Sequence, residues 1–140
     1  MREIREVIFR GKRTDNGEWI EGSLLGIDWC DKPSTYSIAP NTPVSVFYSV
    51  IPETVGQYTG LTDRNGTKIF EGDIVHCVSK LDSADMVVIF ECGQFRMILA
   101  EKYHEYQTNV GYYDINCFAK EVIGNIHDNS ELLKGGGDNG

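Results

Sequence analysis

Histidine and helical periodicity are both scarce in this 140-residue chain, and each scarcity closes off a reading. There are three histidines, His76, His104 and His127, and none sits in a nucleophile motif such as GxSxG, so no recognisable Ser-His-Asp or Cys-His arrangement is present. The four cysteines, Cys30, Cys77, Cys92 and Cys117, are widely spaced and form no CxxC pair. His76 and Cys77 are adjacent, but neighbours on a strand point to opposite faces, so they do not share one ion. No metal is expected. Neither GxxxxGK[ST] nor GxGxxG occurs, and the terminal GGGDNG has no helix after it, so no nucleotide cofactor is expected either. No segment approaches the ~20 apolar residues that span a bilayer. The opening MREIREVIFR mixes charge throughout and does not read as a secretory signal, which makes the cytoplasm the expected compartment and the cysteines buried, reduced thiols.

Negative charge is what the chain has in excess. Its formal net charge is −8, which repels nucleic acid and anionic membranes unless charge is segregated. Some segregation exists: Arg2, Arg5, Arg10, Lys12 and Arg13 face only Glu3 and Glu6 in the first thirteen residues. A basic strand could hold phosphates, and a charged edge strand that discourages aggregation is the blander alternative.

No window repeats apolar positions at helical spacing for two turns. Short runs rich in Val, Ile, Phe and Tyr recur instead, punctuated by Gly, Asn and Asp. Strands are expected at Ile4–Arg10, Glu18–Ile27, Thr35–Ala39, Val44–Val50, Asp73–Ser79, Met86–Glu91, Gln94–Ala100 and Phe118–Ile126. Asn16-Gly17 suits a type I′ turn, and Cys92-Gly93 joins the clearest hairpin. In Asp73–Ser79 both faces are largely apolar, as in a barrel strand, with His76 lining the interior. Asn129–Leu133 closes as one helical turn. The fold class is all-β with minor short helical turns, one domain over 1–134, followed by a disordered glycine-rich tail at 135–140.

Three blocks carry a family likeness: MREIREVIFRGKRTDNGEWIEGSLLG at the start, PETVGQYTGLTDRNGTKIFEGDIV from Pro52 to Val75, and EVIGNIHDNSELL from Glu121 to Leu133. In wording and order they resemble the YopX family of phages and prophages. The resemblance implies a partly open, SH3-like β-barrel in the second half with an additional N-terminal β-hairpin region. It also implies a bacterial host cell. It brings no activity with it.

The functional candidates follow from residue chemistry. Arg10, Lys12 and Arg13 beside Trp19 form one candidate binding group, suited to a nucleic-acid backbone. The segment YHEYQTNVGYYD concentrates Tyr103, Tyr106, Tyr112 and Tyr113, a composition suited to a protein partner or to packing over a barrel end. Its acidic neighbours Glu101, Glu105 and Asp114 argue against nucleic acid there. Glu71 and Asp73 flank Gly72 and, with His76, would serve a metal-dependent hydrolase, although a turn accounts for the carboxylates more simply. The leading expectation is a non-enzymatic binding or adaptor module with a protein partner. A nucleic-acid-binding module and a hydrolase are the alternatives, and self-association through edge strands is left open.

Overall fold

The computed structural model describes residues 6–27, 35–105, 112–116 and 119–133. Among them are eleven strands, three short 3-10 turns and no α-helix, so the all-β expectation holds. No helix of these residues is long and apolar enough to cross a membrane. The chain divides into two compact units, Met1–Gly60 and Leu61–Gly140.

The first unit contains β1 (Phe9–Lys12), β2 (Trp19–Ile27), β3 (Thr35–Ala39), β4 (Tyr48–Val50) and most of β5 (Gly56–Thr62). With β6 (Lys68–Phe70), these strands form a sheet of order β4-β3-β2-β1-β5-β6. In β1, Arg10 lies opposite Glu21 and Lys12 opposite Trp19. The other edge of β1 pairs with β5 at Phe9 and Arg10. Further along, that edge passes to the chain around β4. Arg13 bridges Val50, the Ile51 N–H donates to the Lys12 carbonyl at 2.8 Å, and the Lys12 N–H donates to Thr54 Oγ1 at 2.9 Å. The sheet therefore curls back upon itself through a bridge rather than a full ladder. Ile38 and Val50 are buried inside the curl. Gly11 lets β1 approach them, since a Cβ there would lie 3.0 Å from Val50 Cβ.

The second unit is built on β7 (Asp73–Val78), β8 (Ser83–Glu91), β9 (Gln94–Leu99), β10 (Tyr113–Asp114) and β11 (Ala119–Asn125). They run antiparallel in the order β10-β9-β8-β7-β11. Strands buried on both faces read as continuous apolar runs, which is what VVIF and DIVHCV show. Val75, Cys77, Met86, Val88 and Met97 meet Ile69 and Ile115 on one face. Ile74, Val87, Ile89 and Ile98 meet Ala100 and Leu133 on the other. Those two covering residues come from the 3-10 turns Ala100–Glu105 and Ser130–Leu133. The strand order has two ends, so the sheet is partly open. The outer edge of β11 is occupied by the turn after β5: Arg64 N–H donates to the Lys120 carbonyl at 3.0 Å, and Val122 N–H donates to Asp63 Oδ2 at 2.9 Å.

Thr35–Ala39 forms as expected, and so do the hairpin through Cys92-Gly93 and the closing helical turn, which spans Ser130–Leu133. Three expectations are corrected. The first strand is Phe9–Lys12 rather than Ile4–Arg10, of which residues 1–5 lie outside the described region. Val44–Val50 is a strand only at Tyr48–Val50. Before it, Thr42 Oγ1 and the Val46 N–H both donate to the Val44 carbonyl and bend the backbone out of a ladder. Asn16-Gly17 is not a type I′ turn, because Gly17 has φ 73° while Asn16 does not adopt positive φ. Arg13 N–H reaches the Glu18 carbonyl instead, and Asn16 Oδ1 accepts the Glu18 N–H. The turn with two positive φ values is Cys92-Gly93, at 51° and 78°. The tail 135–140 falls outside the described residues.

Candidate functional site

Alternation along β1 divides the basic group in two. Arg10 and Lys12 share the face opposite Gly11, and cross-strand pairing brings Trp19 of β2 beside them. The Arg10 guanidinium carbon lies 4.8 Å from the centroid of the indole and Lys12 Nζ lies 5.6 Å from it. All three side chains are half-buried. Both cations thus rest on one ring, which attracts them through its quadrupole. Arg13 has the parity of Gly11 and joins neither. Its guanidinium stacks over Tyr48 at 4.0 Å and binds the Asp15 carboxylate through two hydrogen bonds, of 2.9 and 2.6 Å. The bond from Arg13 holds the Asp15 carboxyl below its ordinary value. The expected group Arg10, Lys12, Arg13 and Trp19 is therefore one cluster of three residues and a separate ion pair. Tyr48 was not anticipated, because only the return of β4 to the end of β1 brings it to Arg13.

The tyrosines do not form one surface. Tyr103 packs against the cluster built on Ile74, Val87 and Ile98. Tyr112 is partly exposed beneath the Arg96 guanidinium, whose carbon lies 4.9 Å from its ring. Tyr113 lies in β10 opposite Met97. Tyr106 lies outside the described residues.

The carboxylates of the family-like blocks hold the backbone. Asp73 is 1% exposed, and its Oδ2 accepts the Phe70 N–H at 2.7 Å across the Gly72 turn. It points to the opposite face of β7 from His76, so these two do not converge on a substrate. Asp63 accepts N–H groups from Asn65, Thr67 and Val122. Burial would push its carboxyl up, but those three N–H groups outweigh burial and bring it below its ordinary value.

His76 is no interior barrel residue. Its side chain is 41% exposed, and Nδ1 meets Asp85 Oδ1 at 2.8 Å across the β7–β8 pair. The signal for this contact was a register in which His76 and Asp85 lie equally far from a turn at Lys80-Leu81, which residue types alone do not reveal. His104 is exposed beside Tyr103, and the His127 N–H is held by Asn125 Oδ1. Of the cysteines expected to be buried, Cys77 is, and burial pushes its thiol up to about 11, which makes it a poor nucleophile. Cys92 is exposed, because the turn at β8–β9 carries it beyond the sheet. Cys30 and Cys117 lie outside the described residues. Among the described residues no group of three or more His, Cys, Asp or Glu side chains is placed to hold a metal ion.

Comparison with known proteins adds a family and a fold. The family model for the YopX protein matches residues 8–134. Among solved structures, the crystal structure of protein EF1440 from Enterococcus faecalis is similar with a TM-score of 0.53 and 22% sequence identity. The match covers 94% of this chain and 100% of that one, and at this identity it is a likeness of fold alone. No curated protein matches the chain.

Proposed function

The chain belongs to the YopX family, and we propose that it is a non-enzymatic binding module that holds an acidic protein partner against the Arg10, Lys12 and Trp19 face of its first unit. The observation that carries this reading is the placement of two cations on one half-buried indole. Trp and Arg are the side chains on which interface energy concentrates. A cation already resting on a ring loses less freedom when it meets a carboxylate, which is the advantage of preorganisation. Charge selects the partner. Arg13 is bound by Asp15, Arg10 has Glu21 as its cross-strand neighbour, and the chain as a whole carries −8, so the positive charge offered at the indole is small and local. Two cations on an acidic molecule suit a carboxylate-bearing protein segment better than a long run of phosphates.

The same reading takes in a phage or prophage setting in a bacterial host and an SH3-like relationship for the second half, which rest on the family resemblance, and the cytoplasm of that host, which rests on the lack of a long apolar run.

The test is a tagged capture from bacterial lysate, divided into nuclease-treated and untreated halves. A protein recovered equally from both halves by the native chain, and lost with Arg10→Ala/Lys12→Ala, supports the reading. Recovery that vanishes with nuclease transfers the same face to nucleic acid.

A further inference from the structure

The second unit carries a cleft of about 270 Å³ that the basic face does not involve. Its floor is Cys77, Ala84, Met86 and Leu99, and its rim includes Asp82 and Tyr113. Strand register explains the hollow. Along β7 and β8, Val75 faces Met86, whereas the next pair on the same face is Cys77 opposite Ala84. Two small side chains there follow two large ones, and the sheet surface drops.

We propose that this cleft receives one apolar side chain of a protein partner, carried next to a basic residue that faces Asp82. The cleft lies at the small end of ligand pockets, which run from about 300 to about 1,000 Å³, so a short occupant suits it better than a cofactor. A single Phe or Leu side chain fits the smaller volume, and anchoring by one buried side chain is how interfaces concentrate their energy. Charge fixes its neighbour. Residues 61–140 carry thirteen acidic and seven basic residues, and Asp82 stands at the rim. Asp82 Oδ1 already accepts the Ser83 N–H at 2.7 Å, which orients the carboxylate. Lys120 of β11 lies on the far side of Cys77, opposite it in register, so the acidic rim is the β7–β8 turn and not the whole margin. Tyr113, from the tyrosine-rich segment, supplies a ring and a hydroxyl at the mouth. The site is independent of the Arg10, Lys12 and Trp19 face, and either can fail alone.

The test is a titration of the nitrogen-15-labelled full chain with two capped dipeptides, acetyl-Phe-Arg-amide and acetyl-Phe-Glu-amide. The expected result is amide shifts at Ala84, Leu99 and Tyr113 with the first probe, and binding at least fivefold weaker with the second. Ala84→Phe fills the hollow and abolishes the shifts. Asp82→Asn keeps the oxygen that accepts the Ser83 N–H and removes only the charge, so it equalises the two probes without disturbing the turn. Shifts absent from those residues, equal affinities for the two probes in the native chain, or a preference that survives Asp82→Asn would each overturn the proposal.

Discussion

At Asp63 one carboxylate serves three backbone N–H groups, two within its own turn and one on β11. Hydrogen bonds to a charged group contribute roughly 1.5–3 kcal/mol each, and an orphaned partner costs about 1–3 kcal/mol. Asp63→Ala is therefore expected to lower stability by about 3 kcal/mol or more in urea unfolding, with the slope unchanged. Its carboxyl is depressed in the folded state, so its contribution is present above the ordinary value of 3.8 and is lost as the pH falls through the lower folded value. Stability of the native chain should fall in acid below about pH 4, and part of that fall should be missing from the variant. Gly22 makes a different demand. A Cβ there would collide with the Ala39 carbonyl oxygen, and that oxygen is backbone. Gly22→Ala should destabilise by about 3 kcal/mol or more, beyond the usual cost of an added methyl, because the strand itself must move. A midpoint unchanged from the native chain in the same urea series would show that β2 and β3 are looser than described.

Among the elements, the β8–β9 hairpin carries an avoidable strain. Its turn places Cys92 at φ 51° beside Gly93, a conformation in which Asn is favoured over other side chains. Cys92→Asn should raise the thermal midpoint, by about 0.5–1 kcal/mol at that midpoint, a part of the roughly 1–2 kcal/mol that the left-handed conformation costs an ordinary side chain. The variant should also lose labelling at Cys92 while the buried Cys77 stays slow, which site-resolved thiol labelling before and after unfolding reads directly. The elements most legible in the sequence were those whose pattern has one cause. DIVHCV and the first arm before Cys92-Gly93 read as apolar runs because clusters pack on both faces of the sheet around Ile74, Val75, Val87 and Val88. Val44–Phe47 misled because its residues suit a strand while a local hydroxyl and amide take the Val44 carbonyl. Site residues divide likewise. Arg10 and Lys12 were recoverable from their alternation beside Trp19. Arg13 with Tyr48, and His76 with Asp85, depend on register between strands, which composition does not encode.

For the whole molecule, acidity is uneven. The first sixty residues carry six basic and eight acidic side chains, and the remainder seven and thirteen. On the proposed reading the excess of carboxylates on the second unit and the two ring-bound cations on the first select partners by charge, and added salt should weaken binding on both. The central claim is that Trp19 with its two cations forms the anchor of the partner interface. The measurement that tests it most directly is the dissociation constant of the captured partner for the native chain, Trp19→Ala and Arg10→Ala/Lys12→Ala, each confirmed as folded by its unfolding midpoint. The account predicts a loss of at least 2 kcal/mol, about thirtyfold, for Trp19→Ala, the scale of an interface hot spot. It predicts a smaller, salt-dependent loss for the pair. Affinity unchanged by both replacements would place the interface elsewhere and contradict the account.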